Sequence, residues 1–253
     1  MSESRAAEAR KAGSIPPPGS PPPADMEKTP GPRATWGPSK VAVGILALLL
    51  TTTVEVGIVS AFDPDLDSLG ARLVTQALLA ATLIAIAFLV TSDARAGVAA
   101  PRALGLRRPV RSPFGLAAAA YLGYIVFAVA YSGVVHPHQK DITRDLGVGH
   151  GTLGTVAAGL LILAAAPIAE EVFFRGFMFG GLRRRLSFPV AALVAAAIFG
   201  LFHYTGPSSL GVLPQLAFLG LALCWVYEET GSIYPTIAIH VVNNAFAFAL
   251  LAS

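Results

Sequence analysis

The chain has 253 residues, 54% of them hydrophobic and only 13% charged, against the roughly 25% charged residues of a soluble globular domain. Its 15 acids and 18 bases are too few to cover a soluble surface, and a mean hydropathy of +0.64 makes the bilayer the expected solvent. The single cysteine, Cys224, excludes an internal disulfide framework and a Cys-rich zinc or iron–sulfur site, so any metal would need histidine and carboxylate ligands. The net charge of +3 does not imply nucleic acid, because the arginines fall in short clusters between apolar runs, the way membrane topology is encoded.

Residues 1–39 hold 9 of the 19 prolines and have no apolar stretch, which predicts a disordered cytoplasmic tail with polyproline II character rather than a signal peptide. Residues 40–253 then read as an all-α polytopic membrane helix bundle. About seven apolar stretches follow, near 41–62, 72–91, 114–135, 153–180, 188–204, 210–227 and 232–252, each close to the ~20 residues that cross ~30 Å of hydrocarbon. The fourth is long and carries charges, which predicts a break or an extension beyond the membrane. Basic residues alternate with the spans: Arg33 and Lys40 precede the first, Asp63, Asp65 and Asp67 follow it, Arg95, Arg102, Arg107, Arg108 and Arg111 follow the second, and Arg183, Arg184 and Arg185 follow the fourth. This puts the N-terminus in the cytoplasm and the C-terminus outside. Glu228 and Glu229 form an acidic loop on the inner side, the one exception. The Ala-, Gly- and Arg-rich composition points to a bacterial cell membrane.

An ionisable side chain inside a span costs at least ~2.5 kcal/mol and marks function by default. Here these are Glu55, then Glu170, Glu171 and Arg175 in the fourth span, His203 in the fifth, and His240 with Asn243 and Asn244 in the seventh. Glu171 and Arg175, four apart, share a helix face and can form a buried ion pair. Glu170 lies ~100° around the helix and must find water, a histidine or a metal on another helix. Pro167 is expected to kink this helix. His240 and Asn244 also share a face, where they need a common polar partner. Glu55 reads as structural, paired with a Thr or Tyr hydroxyl or lying at the outer interface. Cys224, Trp225, Tyr227, Phe246 and Phe248 read as packing and interfacial anchors, and His136, His138 and His150 as loop residues.

The three motifs Glu170-Glu171-Val-Phe-Phe-Arg175, Phe199-Gly-Leu-Phe-His203 and His240-Val-Val-Asn-Asn244, in order on separate apolar helices, resemble the CPBP family of intramembrane proteases, also called the CAAX prenyl endopeptidase or Abi family. The resemblance covers about residues 150–252 and leaves the first three spans without a motif. It implies that Glu170 and His203 activate a water molecule, that His240 and Asn244 stabilise the oxyanion, and that Glu171 and Arg175 hold the geometry. Peptide hydrolysis needs a general base poised near neutral pH, a property that carboxylates acquire in low-dielectric pockets. A metal is the open alternative: zinc or another divalent ion would use Glu170, His203 and His240. There is no H-E-x-x-H helix, and the preference is for a metal-independent, glutamate-type mechanism. The expected partners are membrane lipid and a membrane-associated peptide or protein cut near the bilayer surface. Two other readings stand beside the protease: a non-catalytic membrane scaffold or bacteriocin-immunity protein, and a transporter whose Glu and His residues line an ion path.

Overall fold

The structure, a computed structural model, describes residues 34–92, 100–137 and 151–252. The Pro-rich tail to residue 33, Arg95, and His138, Lys140, Asp141, Arg144, Asp145 and His150 lie outside the described residues. The rest forms a membrane helix bundle, with no strand among the described residues. Its long helices are α1 (Pro38–Phe62), α2 (Leu69–Thr91), α3 (Phe114–Val135), α4 (Gly151–Arg183), α5 (Phe188–Phe202), α6 (Leu213–Thr230) and α7 (Tyr234–Ala252). Helices thus occupy all seven expected ranges. Four of them, α1 to α4, are long and apolar enough to cross a membrane. With 15 residues, α5 falls short of the ~20 that span the hydrocarbon, and α6 carries Gln215, Glu228 and Glu229 within its 18 residues.

Packing arranges these helices around α4. Its neighbours include α2, α5 and α7, while α6 packs chiefly on α5 and α3, and α1 on α2. The aromatic run of α4, Phe173, Phe174, Phe177 and Phe179, is at most 1% exposed and forms the centre of the main core cluster with Leu83, Leu104, Phe199 and Tyr227. Large apolar side chains such as Leu46, Leu50, Val126 and Leu193 face outward, as lipid-facing residues do in a bilayer, where no hydrophobic force drives helices together and close packing must.

The 33 residues of α4 are not one regular helix. Leu161–Ala165 and Glu171–Phe179 are wound with π geometry, so that the Ala166 N–H bonds to the Leu161 carbonyl and the Gly180 N–H reaches the Arg175 carbonyl, each five residues back. Pro167 explains the first segment: it has no N–H, and its ring collides with the carbonyl four residues earlier, which the wider turn relieves. The kink expected at Pro167 is therefore taken up as π winding. In the second segment the Phe177 carbonyl accepts the Gly180 N–H and also the indole N–H of Trp36, 2.8 Å away. Trp36 is 3% exposed, so the chain is already packed three residues before the expected tail boundary at 39. Gly181 makes room for it, since a Cβ there would lie 2.6 Å from the indole Cδ1.

Two charges expected in loops are buried. Arg183 donates from Nε and Nη2 to Glu228 Oε1 at 3.0 and 2.9 Å, and both residues are nearly inaccessible. The acidic loop at 228–229 does not exist as such, because α6 continues to Thr230 and ends at Gly231 with φ 63°, a left-handed cap that glycine adopts without strain. That end is clamped by the segment after α2. The Gly105 carbonyl accepts the Ile233 N–H at 3.0 Å, Arg107 Nε donates to the Gly231 carbonyl, and Ser232 Oγ donates to the Arg107 carbonyl, both at 2.6 Å. Outside the spans, the Ser68 hydroxyl and N–H hold the Asp63 carboxyl below its ordinary range and close the α1–α2 turn.

The clamp touches α4 at Gly176, where a Cβ would meet the Leu104 carbonyl oxygen at 2.5 Å. That obstacle is backbone and cannot rotate away. Gly176→Ala is expected to cost about 1–3 kcal/mol through overpacking, seen as a lowered Tm of the detergent-purified protein.

Candidate active site

Glu170 and Glu171 stand at the junction between the straight turn Ala166–Glu170 and the second π segment. Consecutive residues on a helix point ~100° apart, so one backbone position sends two carboxylates into different surroundings. Glu171 is fully buried and Arg175 is 1% exposed. Their ion pair is formed, with Arg175 Nη1 donating to Glu171 Oε1 at 2.8 Å. The same oxygen accepts from His240 Nδ1 at 2.9 Å. The guanidinium carbon of Arg175 lies 4.2 Å from the centroid of the Phe199 ring, a cation–π contact that partly replaces the solvation lost on burial.

Glu170 faces the other way. Its Oε2 lies 3.7 Å from His203 Nε2 and 3.8 Å from His240 Nε2, too far for direct hydrogen bonds, and it is a buried oxygen with no hydrogen-bond partner. The tautomers follow from the opposite edges of the rings. His203 Nδ1 is 2.8 Å from the Phe199 carbonyl, which only accepts, so Nδ1 carries the proton. His240 Nδ1 donates to the Glu171 carboxylate by the same reasoning. When either ring is neutral, its Nε2 lone pair therefore faces Glu170. His203 caps the end of α5 and its side chain is 28% exposed, whereas that of His240 is 4% exposed. The site opens on the His203 side.

Phe199 ties the constellation together. It lies 4.9 Å from the His203 ring and 5.8 Å from the His240 ring, both edge-on, beneath Arg175 and against Phe174. The structure thus brings Glu170, Glu171, Arg175, His203 and His240 together. Asn244 is placed differently. It does not share a partner with His240 but donates from Nδ2 to the Ile162 carbonyl on α4 at 3.0 Å. Glu55 receives the Thr82 hydroxyl, outside the site. The expected alternative metal set of Glu170, His203 and His240 does not close into a ligand cluster: among the described residues no three His, Cys, Asp or Glu side chains form a group that could hold a metal ion.

Residues 152–246 match the family model described as Rce1-like, type II CAAX prenyl endopeptidase Rce1-like. That stretch is similar to the Rce1-like family. The match takes in nearly all of α4 to α7 and every residue of the site, and leaves α1 to α3 outside. The resemblance carried by the three motifs is upheld by it. Among curated proteins, YyaK of Bacillus subtilis (strain 168), an uncharacterized protein, is 26% identical over 134 residues, 50% of this chain and 44% of its own length. YdiL of the same organism, provisionally named a membrane peptidase, is 27% identical over 125 residues, 48% of this chain and 50% of its own. The UPF0177 protein YxdF of Lactococcus lactis subsp. lactis (strain IL1403) is 29% identical over 109 residues, 42% and 58% of the two chains. The chain thus spans about half the length of the curated relatives it matches. No solved structure matches.

The two glutamates are expected to respond differently to neutralisation. Glu171→Gln leaves Arg175 buried without a counter-charge and weakens the anchor of His240, a loss of about 3–5 kcal/mol by analogy with broken buried ion pairs. Thermal unfolding in detergent should show it as a large drop in Tm, and an unchanged Tm would refute the pairing.

Proposed function

We propose that the protein is an intramembrane endopeptidase that hydrolyses a peptide bond of a membrane-associated protein or peptide with water activated by Glu170 and His203. The observation that carries this reading is the buried Glu170 Oε2, which faces two imidazole Nε2 atoms at 3.7 and 3.8 Å and bonds to neither. Leaving a carboxylate oxygen unpaired in a low-dielectric interior is costly. Glu171 Oε2 is buried without a partner as well, but Glu171 is bonded through Oε1 to Arg175 and His240, and Glu170 has no such bond. At 3.7 Å the Glu170–His203 pair is close enough for one water at its side to bridge both. Glu170 and the His203 lone pair are both acceptors, and a water placed between them would donate one hydrogen to each.

The chemistry follows from that placement. As the water oxygen attacks the scissile carbonyl, one proton passes to Glu170, which returns it to the leaving amine. The carbonyl π electrons move onto oxygen, and when this oxyanion collapses to re-form the carbonyl the C–N bond breaks, its electron pair on nitrogen taking the proton from Glu170. For His240 to donate to that oxyanion its Nε2 must carry a proton. With Nδ1 already donating to Glu171, that is the imidazolium form, whose charge the Glu171 carboxylate offsets. Asn244, one turn further along α7, would supply the second donor. Substrate would enter on the exposed His203 side. The bundle's lipid-facing surface supports a site in a cell membrane, and the relatives from Bacillus and Lactococcus favour a bacterial one.

The test is cleavage of a quenched fluorescent peptide library by the detergent-purified protein beside Glu170→Ala and His203→Ala. Loss of the general base is expected to slow turnover by about 10²–10⁴-fold, with the variants still folded and activity surviving a strong chelator. Activity abolished by chelation and restored by zinc would overturn the metal-independent mechanism. Equal cleavage by wild type and Glu170→Ala would overturn the assignment of the base, and no cleavage by folded wild type would favour the scaffold or immunity reading.

A further inference from the structure

The contact between Asn244 and the Ile162 carbonyl depends on a residue with no chemistry of its own. In a regular α-helix the Ile162 carbonyl would accept the Ala166 N–H. Here that N–H goes to Leu161 instead. In the π register the donor due to Ile162 is residue 167, five ahead, and residue 167 is proline, which has none. Proline therefore both forces the wide turn and withholds the hydrogen that the turn calls for. The orphaned carbonyl is taken by Asn244 Nδ2 at 3.0 Å. Only the amide nitrogen can face a carbonyl oxygen, so this bond also fixes which way the carboxamide is turned.

Resting on the protease reading, we propose that Pro167 is a positioning residue: it leaves the Ile162 carbonyl without a helical donor, so that this carbonyl holds one N–H of Asn244 and leaves the other N–H preset for the oxyanion. An amide with two hydrogens suits the task, one spent on orientation and one left for the reaction. Preset donors act without reorganisation at the moment of reaction, which is where most of their catalytic value lies. Pro167 stands three residues before Glu170 in the same straight turn. One helical irregularity thus serves the general base and the oxyanion donor together.

Restoring an N–H at position 167 tests the proposal. In Pro167→Ala, and equally in Pro167→Ser, the helix can supply Ile162 with its own donor, which competes with Asn244 for that carbonyl and loosens its hold on the amide. In the full-length protein in detergent, kcat is expected to fall roughly tenfold while KM stays within about twofold, the pattern of an interaction made in the transition state. In an Asn244→Ala background the same change at 167 should have no further effect, because both act through one amide. An equal loss in both backgrounds would overturn the proposal and place the role of Pro167 elsewhere, as in setting Glu170. Hydrogen exchange of the Asn244 side-chain amide, followed by NMR with ¹⁵N-asparagine and assigned by its absence from Asn244→Ala, provides a readout independent of turnover. It should quicken in both variants at 167, and unchanged exchange would overturn the link even if no peptide is cleaved. Failure of the protease reading is seen separately, as no cleavage by folded wild-type protein.

Discussion

The Glu171 carboxylate holds the rest of the site in place. One of its oxygens accepts from Arg175 on the same helix and from His240 on α7, and Arg175 in turn lies over Phe199 on α5. Three helices are thereby keyed to a single buried anion. In an interior of low dielectric such a contact is strong when complete and severely destabilising when broken. The arrangement turns the His240 Nε2 edge toward Glu170, while the Phe199 carbonyl does the same for His203. The placement of the His240 ring beside Glu170 is thus a consequence of buried electrostatics one residue away.

Adjacent glutamates make this economical. A helix sends neighbouring side chains in different directions, so the ion-paired carboxylate and the one proposed to react share one backbone segment and cannot drift relative to each other. The π winding of α4 on both sides of the pair adds a second device. At the first wide turn the Ile162 carbonyl is taken by the Asn244 side chain, and at the second the Phe177 carbonyl accepts both the Gly180 N–H and the Trp36 indole N–H. Irregular helix is tolerated at membrane depth only where the freed groups are satisfied again, and both carbonyls are.

Much of this was legible in the sequence. Spacing alone gave the Glu171–Arg175 pair, since four residues is one turn, and the isolation of Glu170 pointed to a partner on another helix. The apolar runs located all seven helices, and a Thr hydroxyl was among the partners expected for Glu55. What escaped depends on contacts between distant segments. Arg183 looked like a loop cation because it stands in an arginine cluster, and Glu228 like a loop acid because it precedes Glu-Thr-Gly; neither has a local signal for a bond across 45 residues. Trp36 adjoined a proline-rich tail and carried no mark of its place against Phe177. The Asn244 acceptor was hidden for another reason: a carbonyl is present in every residue, and only the π register frees this one.

The central claim is that Glu171 holds the fold and Glu170 is kept for reaction at a cost in stability. Thermal unfolding of Glu170→Gln beside wild type, in the same detergent, tests it most directly. Removing the charge of a carboxylate whose buried Oε2 has no hydrogen-bond partner should leave Tm unchanged or raise it, as happens where activity is held at the expense of stability. A Tm lowered by several degrees would show that Glu170 is part of what holds the bundle together, and would contradict the division of labour between the two glutamates.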